Sequence, residues 1–326
     1  MPDTQNFTAP APHVPMPLGG LVHRTIPHAL NLATAPFNRR AIHADQIKLA
    51  SFERQLQALA KTMPQGQASK IPSVLHFVYG LKKREDFPYY AKLAVLSALH
   101  HNPDWQAIFH FREEPFGPHW ESLKPHLILN PVPDFNYFGI APLTHYAHKA
   151  DVVRLLALLH VGGAYLDIDT LTQRSFAPLQ AESFVMGIQR ALPGQPGGLC
   201  NAIMLGAPHA AFTKIWLKQH QHFRSRGTDW LWDYMSVKTP ALLARKNPTR
   251  ITVLKPEAFF DPLWNEVEAV LFSERPAKSP PLNFAFHLWN NMIGAKLEAI
   301  DADYVGASNS LYAQIARPVA KAFGEI

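Results

Sequence analysis

The segment from Thr144 to Thr170, THYAHKADVVRLLALLHVGGAYLDIDT, constrains the fold more than any other part of this chain. Its first half is apolar nearly all round, and a helix of that kind has to be buried rather than laid on a surface. Thr144 is a plausible N-cap for a helix that runs to His160, and Gly162-Gly163 ends it. Ala164 to Ile168 then reads as a short buried strand. A helix handed through two glycines into a strand is the connection of an α/β sheet.

Neighbouring segments repeat that alternation. Ser73 to Tyr79 reads as a strand, Ala91 to His101 as a helix stopped before Asn102-Pro103, and Trp105 to Phe111 as the next strand. Phe184 to Ile188, Ala202 to Leu205 and Ile251 to Leu254 read as further strands, with helices over His209 to Phe223 and Asp229 to Ala244. One large α/β domain with a mixed or mostly parallel sheet follows over residues 71–326. Residues 1–70 differ. Seven prolines in the first 46 residues predict an extended arm. Gln46 to Lys61 places Leu49, Phe52, Leu56 and Leu59 three or four apart, the pattern of an amphipathic helix. That helix either packs on the body or docks on a membrane or partner.

Composition narrows the class. With 47% apolar and 17% charged residues in 326, the chain is expected to bury a core. No stretch approaches the roughly twenty apolar residues of a spanning helix, and the first residues lack a signal-peptide pattern, so the expected compartment is the cytosol, with peripheral membrane contact possible through the N-terminal helix. A single cysteine, Cys200, excludes an internal disulfide. The net charge of +6 favours anionic partners, but the densest basic run, Lys82-Lys83-Arg84, is followed at once by Glu85-Asp86, so no nucleic acid is expected.

The chemistry concentrates in the same constraining segment. Asp151 and Arg154 lie three apart on one helical face, where they either form a structural ion pair or reach into a site at the sheet edge. Asp167 and Asp169 flank Ile168 at the end of the expected strand, so in extended chain both carboxylates point to one side. Two hard oxygen ligands with positions left for water and diphosphate suit Mg²⁺ or Mn²⁺. A second such triplet, Asp301-Ala302-Asp303, lacks the helix-Gly-Gly-strand lead-in and reads as surface. A phosphatase of the D-x-D-x-[TV] type would need Thr or Val at position 171, where this chain has Leu.

The string Lys149 to Asp169 resembles the DXD-containing sugar transferases of glycosyltransferase family 32, which include fungal α-mannosyltransferases and bacterial polysaccharide enzymes. Their pattern, S-D-x-x-R-Y-x-x-L-x-x-x-G-G-x-Y-x-D-x-D, is met at Asp151, Arg154, Leu158, Gly162, Gly163, Tyr165, Asp167 and Asp169, with Ala150 and Leu155 in place of Ser and Tyr. Ile71 to Tyr79 is similar to the family's opening I-P-K-x-I-H-x-x-W strand, which brings in His76 and Tyr79; Tyr79 either stacks on a nucleotide base or fills the core. Asn201 with Pro208-His209 resembles a later N…P-x-H stretch, and Thr239-Pro240 approximates T-G-P without its Gly. His287-Leu288-Trp289 resembles the C-terminal His and Trp that close over the diphosphate, although a core strand is the other reading of this stretch.

The resemblance covers about residues 71–290 and implies a GT-A (Rossmann-like) fold with helical additions. It implies a hexose moved from a nucleotide-diphosphate sugar to a saccharide, lipid or other acceptor hydroxyl, as in polysaccharide or glycolipid synthesis, with retention of configuration. Mn²⁺ or Mg²⁺ would be held by Asp169 directly, with Asp167 as a metal-water or ribose contact and His287 as a further ligand. Asp151 and Arg154 would position sugar or phosphate, and His76, Tyr79, Tyr165, Asn201 and Trp289 would bind the donor. No residue is assigned as a covalent nucleophile. A metal-dependent hydrolase and a non-catalytic nucleotide-sugar-binding module are the alternatives.

Overall fold

Two glycines set the central crossover. Gly162 and Gly163 hold φ of +73° and +118°, a region that side chains rarely enter, and a Cβ on Gly163 would sit 2.4 Å from the Val74 carbonyl oxygen. The chain can therefore leave the buried helix and join the sheet within two residues. The computed structural model describes residues 20–63, 70–193, 197–223, 232–275 and 282–326.

In chain order the described helices and strands are α1 (Gly20–Thr34), α2 (Arg39–Thr62), β1 (Val74–Tyr79), α3 (Tyr89–His101), β2 (Gln106–Phe111), α4 (Pro118–Leu123), β3 (Leu127–Pro131), β4 (Tyr137–Phe138) and β5 (Ala141–Pro142). There follow α5 (Tyr146–His160), β6 (Gly163–Leu166), β7 (Thr170–Thr172), β8 (Phe184–Gln189), β9 (Gly198–Gly206), α6 (Ala211–His220), α7 (Thr239–Lys246) and β10 (Thr252–Leu254). The C-terminal part adds α8 (Val267–Leu271), β11 (Ala285–His287), α9 (Asn290–Glu298), α10 (Ala302–Ala307) and α11 (Leu311–Ala322).

Seven strands form one sheet in the order β10-β8-β9-β6-β1-β2-β3. Only β9 runs against its neighbours β6 and β8; every other pairing in the sheet is parallel. The α/β fold with a mixed, mostly parallel sheet is as the sequence predicted. Alternation divides the core into two layers. Leu75 and Phe77 of β1 face α3 and α11, whereas Val74 and Val78 face α5 and α2.

Several local expectations change. Gly20–Thr34 is helical where proline density predicted extended chain; this stretch contains only Pro27, Pro36 lies in the following turn, and residues 1–19 of the expected arm, with the other five prolines, lie outside the described residues. The amphipathic helix starts at Arg39 rather than Gln46, and its Leu49, Phe52 and Leu56 are buried in one cluster with Val152 and Leu156 of α5. His145 replaces Thr144 as the α5 N-cap, its Nδ1 accepting from the Ala147 N–H at 3.2 Å. The segment expected as a helix over 229–244 is a π-turn at Tyr234–Lys238 leading into α7, and residues 229–231 lie outside the described residues.

Candidate active site

Strand β6 ends at Leu166, so Asp167-Ile168-Asp169 is not extended chain but the turn between β6 and β7. The two carboxylates still converge, for a reason that strand alternation does not supply. Strand β11 pairs antiparallel with β7 and sets His287 opposite Thr170. Ligand atoms of Asp167, Asp169 and His287 then all lie within 4.8 Å of one another. No other group of three His, Cys, Asp or Glu residues with this spacing occurs among the described residues.

Each member is held by its own partners. Tyr165 donates its hydroxyl to Asp167 Oδ1 at 2.5 Å, and Arg154 Nη1 lies 3.0 Å from the same oxygen. Burial pushes the Asp167 carboxyl above its ordinary pKa while the Arg154 charge opposes that rise. Asp169 Oδ2 accepts from the Asn290 backbone N–H at 2.7 Å, and Oδ1 is 3.4 Å from His287 Nε2. Burial works against ionisation of Asp169, but the neighbouring His287 together with backbone N–H groups, that of Asn290 among them, holds the carboxyl below its usual range. His287 Nδ1 is buried and has no hydrogen-bond partner.

Arg154 joins the two motifs. Its guanidinium lies 3.7 Å from Asp151 Oδ1, donates to the Asn201 carbonyl oxygen at 2.9 Å, reaches Asp167, and covers the Tyr165 ring at 4.4 Å from the centroid. Asn201 Nδ2 in turn donates to Asp151 Oδ1 at 2.7 Å. The Asp151–Arg154 pair is thus both a buried ion pair and a wall of the site. With two carboxylates beside it, Arg154 is largely neutralised and acts on Asp167 as much as on a ligand.

These groups open into a cleft of 1370 Å³ lined by Tyr79, Asp151, Arg154, Tyr165, Asp167, Asp169, Asn201, His287 and Trp289. The cleft lies at the carboxyl ends of the parallel strands β1 and β6, where open α/β sheets bind ligands. Tyr79 is half-buried, its ring edge-to-face with Phe87 at 5.2 Å and its hydroxyl directed at Glu85. His76 is not brought to the cleft. It is fully buried on the α5 side of β1, donating through Nε2 to the Gly162 carbonyl oxygen at 2.8 Å and stacked on His110, with burial lowering its pKa to about 4. A fixed neutral imidazole there orders the glycine turn instead of touching a donor.

His287 and Trp289 do meet, with ring centroids 4.2 Å apart. They meet through a left-handed residue and not along a straight strand: Trp289 has φ +56° and ψ +54° and precedes α9. Its ring is half-buried, and its Nε1 donates to the Pro262 carbonyl oxygen at 3.4 Å. A roof position predicts that Trp289→Ala weakens nucleoside diphosphate binding by about tenfold while the melting temperature falls by only a few degrees. A core tryptophan would instead cost about 3–5 kcal/mol. Calorimetry and thermal melting of the same variant separate these outcomes, and a collapsed melting temperature with unchanged affinity would reject the roof.

Sequence reasoning missed several lining groups. Tyr146, His148, Trp232 and Trp264 form walls of the cleft, and Asn290 fixes Asp169 through its backbone. Only Asn290 carried a signal, its place directly after His287-Leu288-Trp289; no motif marks the others. Asp301 of the second triplet also borders the cleft, but it caps α10 by accepting from the Tyr304 N–H at 2.7 Å, and it belongs to no three-residue metal-ligand group among the described residues. Cys200 lies in the cleft wall with burial pushing its thiol up to about 12, so it stays protonated.

The model of the glycosyltransferase sugar-binding region containing the DXD motif matches residues 88–186. Glucan organizing enzyme 1 of Cryptococcus neoformans var. grubii is 33% identical over 270 residues, 78% of this chain and 72% of that protein. Mannosyl phosphorylinositol ceramide synthase SUR1 of Saccharomyces cerevisiae is 28% identical over 195 residues, 59% of this chain but only 44% of that protein. Among solved structures, the galactosyltransferase LgtC with donor and acceptor sugar analogs covers 76% of this chain and 95% of its own at 13% identity and a TM-score of 0.41. The eight motif residues, the cleft they line and a relative one-third identical over most of both chains together place this protein in the DXD-motif glycosyltransferase family, and it is a glycosyltransferase.

Proposed function

We propose that the chain moves a hexose from a nucleoside diphosphate sugar to the hydroxyl of a saccharide or glycolipid, with retention at the anomeric carbon, in a GT-A-type cleft that uses Mn²⁺ or Mg²⁺. The observation that carries this reading is the convergence of Asp167, Asp169 and His287 from separate segments onto one wall of the cleft. Two carboxylates and an imidazole are a donor set suited to Mn²⁺, and His287 turns its Nε2 toward Asp169 Oδ1 at 3.4 Å. When bound, such an ion neutralises charge developing on a leaving diphosphate.

The protein's own groups supply positioning. Tyr165 and Arg154 fix the rotamer of Asp167, and the Asn290 N–H does the same for Asp169, so neither carboxylate has to reorganise when a ligand arrives. Tyr165 stays a hydrogen-bond donor because burial raises its phenol well above the ordinary value. Trp289 and Tyr79 offer aromatic faces for sugar or base, shielding the reacting bond from water. In the transfer itself the acceptor oxygen bonds to the anomeric carbon as the carbon–phosphate oxygen bond breaks, and the acceptor proton passes to the leaving diphosphate.

The name of the yeast relative makes mannose the first sugar and a phosphorylinositol lipid the first acceptor to try. The direct test is a thermal-shift series with GDP, UDP and their sugars, with Mn²⁺ or with excess chelator. A nucleoside diphosphate present at a hundred times its Kd stabilises the fold by about 2.7 kcal/mol, a shift of several degrees. Stabilisation is expected with Mn²⁺ only, and an equal shift in chelator would remove the ion from the site.

A further inference from the structure

Helix α2 carries a second surface that the transfer chemistry does not use. Its core face is Ile42, Asp45, Leu49, Phe52 and Leu56. On the opposite face Arg40, Ile47, Arg54 and Lys61 recur every seven residues, all exposed, which places them on one stripe about 32 Å long. None of the three cations forms an ion pair among the described residues. The helix has only two acidic residues: Asp45 is buried and caps the Asn136 and Tyr137 N–H groups at 2.7 and 3.1 Å, and Glu53 is paired with His160 at 3.0 Å. The outer face is therefore basic without counter-charge.

Exposed apolar residues lie on it and close before it in sequence. Of the eight large hydrophobic side chains exposed among the described residues, four fall between residues 30 and 47: Leu30, Leu32, Phe37 and Ile47. Phe37, at 90% exposure, stands in the turn between α1 and α2, two residues before Arg39. Helix α2 also runs in the same direction as α5. Its early residue Asp45 holds the loop tied to Lys149, whose Nζ donates to Asn136 Oδ1 at 2.9 Å, and its later residue Glu53 meets His160 at the end of α5. Because the first residues of α5, Tyr146 and His148 among them, line the cleft, the Phe37 turn projects at the cleft end of the molecule.

We propose that this ridge docks on the surface of an anionic phospholipid bilayer, with Phe37 entering the interface and the Arg40–Arg54–Lys61 stripe lying along the headgroups. Aliphatic side chains beside uncompensated cations match a lipid surface better than a nucleic acid, which would ask for stacking aromatics along the stripe. With α2 lying flat, α5 runs along the bilayer as well, which sets the cleft end beside the membrane surface. The arrangement does not depend on which sugar or acceptor the cleft takes.

Co-sedimentation of the full chain with vesicles tests it. Binding is expected to vesicles of phosphatidylcholine with about 30% phosphatidylserine, to weaken as salt is raised, and to be absent with phosphatidylcholine alone. The triple variant Arg40→Glu/Arg54→Glu/Lys61→Glu should bind at least about a hundredfold more weakly, since each basic side chain near such a surface contributes about fivefold. Phe37→Ser, which removes no charge, should also weaken binding while the melting temperature stays unchanged for this exposed residue. Equal binding to neutral vesicles, no binding to anionic ones, or full retention by both variants would overturn the proposal. Tighter binding to a duplex oligonucleotide than to the anionic vesicles would reassign the stripe and overturn it as well.

Discussion

Asp169→Asn is expected to abolish Mn²⁺-linked binding of nucleoside diphosphates and to lower sugar transfer by about 10²–10³-fold. The substitution keeps the shape of the side chain and one carbonyl oxygen to accept from the Asn290 N–H, so the local turn has no reason to unfold. What it removes is the negative charge that faces His287 at 3.4 Å and one of the two oxygens close to Asp167 and His287. A preorganised electrostatic contact of this kind is worth roughly 3–4 kcal/mol in the transition state. The melting temperature without ligand should move by only a few degrees, and calorimetry with Mn²⁺ titrated against GDP or UDP measures the rest. Asp301→Asn is the internal comparison. Asp301 caps α10 and Asn caps a helix as well as Asp does, so binding and stability should both persist. If Asp301→Asn lost metal-linked binding and Asp169→Asn kept it, the site would have been misplaced.

Removing the two N-terminal helices has an effect of a different kind and at least equal size. A chain beginning at Gln67 lacks Ile42, Leu49, Phe52 and Leu56, all buried, and exposes the α5 residues they cover. Each such truncation alone costs about 2–5 kcal/mol, against a total stability of roughly 5–15 kcal/mol for a folded domain. Four together, with Asp45 no longer capping Asn136 and Tyr137, should leave no cooperative melting transition. Phe52→Ala is the milder version, expected to lose about 3–5 kcal/mol while still binding nucleoside diphosphate below its melting temperature. A sharp transition within a few degrees of the full chain for the Gln67 start would show that α5 tolerates exposure and that α2 contributes little to the core.

The site divides along the same physical line. Within the segment from Asp151 to Asp169 the spacing is local, so Asp151, Arg154, Tyr165, Asp167 and Asp169 could be assigned to one place from sequence, and they do meet. His76 belonged to a motif too, yet a motif records which residues occur together and not which way a strand side chain faces. Val78 and Tyr79, on opposite faces at the end of β1, both line the cleft, whereas His76 lies further back in the strand, in the interior against Gly162. His287 and Trp289 lie more than 110 residues from the acidic pair, and no periodicity reports the β7–β11 pairing or the left-handed Trp289 that brings them over it.

What the sequence by itself determined is the part governed by local physics. The apolar helix that must be buried, the glycines that must follow it, the α/β alternation, and a carboxylate pair at a strand end are all written in neighbouring residues. Tertiary structure alone decided the rest. It made residues 20–34 and 39–62 into two helices and spent one face of α2 on the core. It gave Asp167 its partners in Arg154 and Tyr165, and it completed the acidic pair with an imidazole from the far end of the chain. These outcomes depend on contacts between distant residues, whose energies come from burial and pairing that no short window of sequence contains.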